Sequence, residues 1–238
     1  MLSLSEFFEE GVVALVSERD VDFTLNGSRD KAMPCLYLTD KQKDFFRHKT
    51  GITIERAAWA KQVHGTKILD VSKKFLKHEE LLEADGLLTS DIHLPIAVRT
   101  ADCLSIFIFD PRKKTIGLVH AGWRGSREGI LQRAIERLRH GWNSNPQDLK
   151  IAFGPSIRSC CYQVGEEFKG CFPKEVQRKE NGYYLDLVLV NRNQLRPLGV
   201  KDQNIFDCNV CTCCDSRFFS YRREGEKAGR MLSVMMLR

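Results

Sequence analysis

Three short polar stretches interrupt otherwise apolar sequence: KQVHG (61–65), RTADC (99–103) and VHAGWRG (119–125). They contribute His64, Cys103 and His120, with Asp102 beside the cysteine and Arg124 beside two glycines. Two imidazoles and a thiolate are the ligand set of an open zinc site, whose fourth position is left for water or substrate. Such an ion lowers the pKa of a bound water toward about 7. The residues are far apart in sequence, so spacing leaves a second reading open: Cys103 as a small buried hydrophobe and the histidines as ordinary polar residues. Asp102 needs a partner in its apolar surroundings, because an unpaired buried carboxylate is costly.

Arg124 suggests an anion site. The turn 121–125 leads toward an expected helix at 126–141 with Ser126 as its N-cap, and free N–H groups at a helix start attract phosphate. The planar guanidinium of Arg124 would grip the same anion. Gly122 and Gly125 would let backbone approach a ligand. The alternative is a tight strand-to-helix turn with a solvated arginine. A further cysteine run, CNVCTCC (208–214), holds the C-x-x-C pair Cys208 and Cys211; Cys160 and Cys161 are the one candidate for a second half of a metal site.

The elements that must position these residues are legible from pattern. Residues 11–18 read as a first strand and 26–31 as a turn. Residues 38–51 read as a helix, with a Thr39/Asp40 start and a terminal Gly51. Residues 52–63 read as strand-like, and 66–72 and 85–90 as short strands. Residues 94–110 and 115–122 are two apolar runs joined by PRKK as a hairpin, each buried on both faces. The 126–141 helix carries Ile130, Leu131, Ala134, Ile135 and Leu138 at helical spacing, with Gly141 as its stop. Residues 149–157 read as a strand, 185–199 as a helix, and 218–223 and 230–238 as closing strands. Strands and helices mix without a regular βα rhythm. The expected fold is therefore α+β, a layered α/β sandwich with mixed sheets, in one domain over residues 1–238.

Composition narrows the function classes. The 238 residues are 42% hydrophobic and 29% charged, enough for a sizeable core. A net charge of +6 is spread along the chain without a one-sign block, which disfavours nucleic acid and suits an anionic small substrate. The acidic N-terminal stretch does not read as a signal peptide, and no apolar run approaches a membrane span, so a cytoplasmic protein is expected. Nine cysteines at uneven spacing argue for thiols or metal ligation over a disulfide scaffold.

Taken in order, KQVHG, EADGLLTS, RTADCLSIFIFD, GLVHAGWRG, GPSIRSCCYQVGEEF and FFSYRREGEKAGR resemble the bacterial laccase-domain family, also called the multicopper polyphenol oxidase or purine nucleoside phosphorylase family. The resemblance covers residues 57–230. It implies a layered α/β sandwich with zinc held by His64, Cys103 and His120. It also implies phosphorolysis of purine nucleosides, with adenosine deamination and methylthioadenosine cleavage alongside. On that basis Asp102 and Asp85 are candidates for moving protons or orienting a ligand imidazole, and Arg124 for holding phosphate. Gln62, Arg19, Gly125 and Ser126 are candidate substrate contacts. Trp123 is a candidate to pack on the base, core packing being the alternative. The N-terminal segment SERDVDFTLNGSRD keeps Ser17 and Arg19 of the family's pattern but lacks its glycines.

The expected partners are purine nucleosides and phosphate, with no nucleic acid or membrane, for a monomer. Copper is the second choice of metal: a blue-copper centre coupled to a trinuclear cluster needs many histidines in His-x-His pairs, and this chain has six histidines and no such pair. His48, His78, His93 and His140 sit in charged or turn-like contexts that suit the surface. Two other readings use the same residues: a metal-free hydrolase or deamidase with Cys103 as nucleophile and His120 as base, and a non-catalytic zinc-binding module.

Overall fold

The computed structural model describes residues 1–8, 10–24, 38–51, 53–73 and 82–238. The expected turn at 26–31 and His78 lie outside them. The strands are β1 (Leu2–Ser3), β2 (Val12–Val16), β3 (Ile68–Asp70), β4 (Gly86–Thr89), β5 (Ile96–Thr100), β6 (Leu104–Asp110), β7 (Thr115–Ala121), β8 (Lys150–Phe153), β9 (Gln163–Val164), β10 (Gln177–Lys179), β11 (Gly182–Tyr184), β12 (Ile205–Asp207) and β13 (Met231–Leu237). The helices are α1 (Ser5–Phe8), α2 (Asp40–Thr50), α3 (Trp123–Arg127), α4 (Ile130–Trp142), α5 (Phe168–Cys171), α6 (Leu187–Leu195) and α7 (Tyr221–Glu224).

The strands form a six-stranded sheet in the order β12-β8-β6-β7-β4-β3, a four-stranded sheet β1-β2-β13-β5 and a small sheet β10-β11-β9. The six-stranded sheet is mixed, with parallel pairs at both edges. The four-stranded sheet is antiparallel throughout. Alternation along β6 sorts its side chains between two cores. Phe107 and Phe109 join β2, β5 and β13 residues in the core between the two large sheets, whereas Ile106 and Ile108 join α4 and α6 on the other face. The outer face of the four-stranded sheet packs Ala97, Leu232 and Val234 against Phe46 of α2. The layers are helix, sheet, sheet, helix, the α+β sandwich that the element pattern implies. Burial on both faces explains why β6 and β7 are apolar on successive residues.

Local chemistry sets several boundaries as expected. Thr39 and Gln42 form a capping box at the start of α2, and Gly51 ends it at φ 76°. In the β6–β7 hairpin the Asp110 carboxylate accepts from the amides of Arg112 and Lys113.

Four expectations are corrected. Residues 53–63 form no strand. A 3₁₀ turn at Ile54–Arg56 precedes isolated bridges from Ala58 to Ile96 and from Lys61 to Glu83. The segment crosses from the edge of one large sheet toward the other, so no ladder continues. The run 94–110 is two strands. β5 belongs to the four-stranded sheet and β6 to the six-stranded one, and the chain turns between them through Asp102 at φ 85°. The helix expected from Ser126 is also split. Gly129 at φ 76° separates α3 from α4, and the helix runs past Gly141 to a left-handed Asn143. Ser126 is fully buried inside α3, not an N-cap. Its hydroxyl accepts from the Asn191 amide at 2.9 Å and its carbonyl from Gln194 at 2.7 Å. Finally, 218–223 is not a strand: Ser220 caps α7 by accepting from the Arg223 amide, and the Arg223 guanidinium occupies the carbonyls of Thr212, Cys213 and Phe218.

Phe107 is wholly buried between the two large sheets. Phe107→Ala is expected to cost about 3–5 kcal/mol of stability, read as a lower urea midpoint with an unchanged m-value; a loss under about 1 kcal/mol would contradict a shared core between the sheets.

Candidate metal centre

His64, Cys103 and His120 come together. One ligand atom from each lies within 4.8 Å of the others, and the two imidazoles meet edge to face with ring centroids 4.8 Å apart. Each arrives by a different route. His120 lies near the end of β7, fully within the sheet. Cys103 follows the left-handed Asp102 in the crossing between sheets. His64 sits in a tight turn at φ 61°, itself exposed.

The buried Asp85 carboxylate ties two of these routes together. It accepts from the backbone amides of Val63, His64 and Gly65 at 3.2, 3.0 and 2.7 Å, and it bonds His120 Nδ1 at 2.8 Å. The Asp85 backbone carbonyl also accepts from the His120 amide at 2.7 Å. Holding Nδ1 turns the imidazole so that Nε2 is the free ligand atom.

Asp102 finds the partners its burial requires. Its carboxylate accepts from the Thr212 hydroxyl and from the Arg222 amide, both at 2.6 Å, and its carbonyl accepts from the Ile157 amide. The turn that presents Cys103 is therefore pinned to two C-terminal loops.

Charge is concentrated here. Burial alone would raise the Cys103 thiol, but the charge of His120, with hydrogen bonds from His120 and His64, pulls it down to about 6. Burial disfavours the His120 cation, yet the Cys103 thiolate, the Asp85 hydrogen bond and the Asp85 charge raise it to about 9. Burial works against the Asp85 anion as well; His120 and the amides of Gly65 and Val63 overcome it and hold the carboxyl below its usual range. Two imidazoles and a ready thiolate suit zinc, with one coordination position left open.

The glycines of the 122–125 turn make room for the ligands themselves. A Cβ on Gly122 would stand 3.0 Å from the His64 ring and 3.1 Å from the Cys103 sulfur; one on Gly125 would stand 2.9 Å from the Gly65 carbonyl. Gln62 spends both ends of its amide on the Arg99 backbone, donating and accepting at 2.8 Å. Arg19 pairs with Glu224 at 2.9 Å and lies over Phe219. Ser17 is buried, its hydroxyl accepting from the Leu232 amide. Arg124 is exposed, lies over the Trp123 ring and forms no ion pair with a described residue. Trp123 is half-buried against Phe168 and the α4–α6 core. His48, His93 and His140 are exposed.

Sequence reasoning assigned no role to Tyr162, Thr212 or Arg222. Burial and the Cys103 charge raise the Tyr162 hydroxyl to about 12, and the Arg222 guanidinium lies 5.4 Å over that ring. Tyr162 and Arg222 fall within the recognisable CCYQV and SYRR stretches, but nothing local marks Thr212 or Arg222 as partners of Asp102.

Fold and site together define a layered α/β protein in which two histidines and a cysteine converge as a group that could hold a metal ion. The chain belongs to the family described as multi-copper polyphenol oxidoreductase laccase, which it matches over residues 39–238. It is 31% identical over 205 residues to a purine nucleoside phosphorylase of Clostridium acetobutylicum, covering 83% of this chain and 84% of the relative. It is 33% identical to a purine nucleoside phosphorylase of Aquifex aeolicus over 74% of this chain and 81% of the relative. The crystal structure of YlmD from Geobacillus stearothermophilus superposes with a TM-score of 0.85 at 28% identity, covering 96% of this chain and 93% of that one.

Asp85→Asn keeps the shape but replaces an acceptor oxygen with a donor facing amides. It is expected to weaken metal binding by about 10–100-fold, measured by competition with a chromophoric chelator. In the metal-free protein, alkylation of Cys103 by iodoacetamide is expected to rise through pH of about 6, not 9, and metal loading should protect the thiol. A titration at the ordinary thiol value would remove the thiolate–imidazolium pair.

Proposed function

We propose that this protein is a zinc-dependent purine nucleoside phosphorylase, and that the same centre also deaminates adenosine and phosphorolyses methylthioadenosine. The observation that carries the reading is the His64–Cys103–His120 triangle buttressed by Asp85, in a chain whose relatives bear the phosphorylase name. The donor set fits a zinc ion, which when bound supplies Lewis-acid charge at the open position. Copper fits the same three ligands, but laccase chemistry at several coppers calls for more histidines than this sequence holds.

In phosphorolysis an oxygen of inorganic phosphate bonds C1′ of the ribose while the C1′–N9 bond breaks. The bonding pair leaves with the purine, which takes up a proton, and the products are free base and ribose 1-phosphate. The residues divide the work as follows. Arg124, exposed, with no ion pair to a described residue and two positions after Gly122, receives the phosphate through its guanidinium; Ser126 is buried inside α3 and offers no helix end. Arg19, ion-paired with Glu224, is the candidate substrate contact from the N-terminal segment. Asp85 is a positioning residue that fixes the His120 ring and the His64 turn. Asp102 positions Cys103. Gln62, Gly125 and Ser126 act through the backbone they hold in place: the start of the Cys103 crossing, the Gly65 approach and the α3–α6 contact.

Freshly purified protein is expected to convert inosine and adenosine to free base only when phosphate is present, with ribose 1-phosphate formed in equal amount. His64→Ala, Cys103→Ala and His120→Ala should lose metal and turnover together. Arg124→Ala should raise the phosphate KM by about tenfold or more, the worth of a charge-assisted contact, and leave adenosine deamination near its original rate. Base release independent of phosphate, or full activity in all three ligand variants, would overturn the assignment.

A further inference from the structure

A second group of sulfurs converges away from the first centre. Cys160, Cys161, Cys211 and Cys214 bring their Sγ atoms within 4.8 Å of one another. Cys161 and Cys214 stand 3.2 Å apart, and Cys160 and Cys214 3.5 Å. A zinc ion with sulfur ligands at about 2.3 Å spaces them about 3.8 Å apart along each edge of the tetrahedron. The two Cys214 spacings fall a little under that edge, and the remaining pairs stay within 4.8 Å.

Four of the eight described thiols take part, and the others are accounted for elsewhere. Cys103 serves the first centre. Cys208 packs against the core between the large sheets, and Cys171 and Cys213 pack against the α4–α6 core. The C-x-x-C half of the group is therefore Cys211 and Cys214. The pair Cys208 and Cys211 suggested by sequence does not form it.

Arginine side chains tie down the loops that carry these sulfurs. Three guanidinium groups hold the same two loops: Arg158 through its pairs with Asp186 and Asp207, Arg222 through the Cys161 carbonyl, and Arg223 through the Thr212 and Cys213 carbonyls. Arg158 is balanced by its two aspartates and Arg223 by Glu224 at 2.6 Å, so of the three it is Arg222 that offsets part of the two net negative charges of four thiolates around a divalent ion. Neutral thiols would gain little from such crowding, because S–H is a weak donor and sulfur a weak acceptor.

We propose that Cys160, Cys161, Cys211 and Cys214 bind a structural zinc ion in a closed four-sulfur site, clasping the 158–162 loop to the 211–215 loop. Binding replaces the thiol protons, which pass to solvent, and requires no oxidant. The clasp has a clear beneficiary. Ile157, just before the first loop, donates its amide to the Asp102 carbonyl, and Thr212 follows Cys211 and bonds the Asp102 carboxylate, so both loops meet the residue that precedes Cys103. Fastening these loops holds the far wall of the first centre without contributing a ligand to it.

The test is metal content of protein purified under reducing conditions. The parent is expected to hold two zinc ions per chain, one for each group. The Cys160→Ser/Cys214→Ser variant should lose one equivalent and keep the other, and the His64→Ala/His120→Ala variant should lose the complementary one. Cobalt loaded into the histidine variant should show intense sulfur-to-cobalt charge transfer and tetrahedral ligand-field bands. Zinc X-ray absorption on the unmutated protein gives an answer independent of variant folding: a shell dominated by sulfur supports the clasp. A shell of one sulfur with nitrogen and oxygen neighbours overturns it, as do equal zinc contents in parent and cysteine variant, iron in place of zinc, or a disulfide within the group in the reduced protein.

Discussion

The Asp85 carboxylate is the constraint on which the site depends. It is buried from solvent and would be expensive as a lone charge. Four donors meet it: three consecutive amides of the His64 turn and the imidazole of His120. Those donors compensate the burial and convert it into geometry. The His64 turn cannot swing away without abandoning the carboxylate, and His120 cannot rotate without losing its Nδ1 bond. Two of the three ligands are thus placed before any ion arrives, which lowers the ordering cost of binding.

The third ligand is placed by a change of sheet. β5 and β6 lie in different layers, and the chain passes between them through a left-handed Asp102. A non-glycine residue in this region carries strain that its surroundings must sustain. The Thr212 hydroxyl and the Arg222 amide do so from the far end of the chain. Gly122 completes the arrangement, since any side chain there would press on His64 and Cys103 together. The centre sits where the two sheets exchange chain, and its walls come from loops that no single stretch of sequence contains.

The family description speaks of copper oxidoreductases, while the relatives carry a phosphorylase name. Under the proposed reading, one thiolate and two imidazoles around an open position would provide a Lewis-acid site for a d¹⁰ ion, whereas multi-electron oxidation requires several redox metals and the histidines to hold them. Within the α/β scaffold both ideas would occupy the same place, so the proposal rests on the ligand inventory and not on the fold.

Much of this was legible in the sequence. The candidate ligand types are read from residue type, and β6, β7, α2 and α6 follow from apolar period, the Thr39 cap and the Gly51 stop, all of which act within a few residues. What failed locally failed for long-range reasons. The apolar pattern of 94–110 is continuous because both strands are buried on both faces, so it is blind to the layer change at Asp102. Ser126 has the type of an N-cap but is claimed by Asn191 and Gln194 of α6. Cys208 and Cys214 both stand at C-x-x-C distance from Cys211, and only the packing of Cys208 into the inter-sheet core decides between them. Sequence alone determined which chemistry was available and which segments had to be buried. Tertiary structure decided which groups meet, because a carboxylate at position 85 selects its partners through sheet register and burial, neither of which is encoded in neighbouring residues.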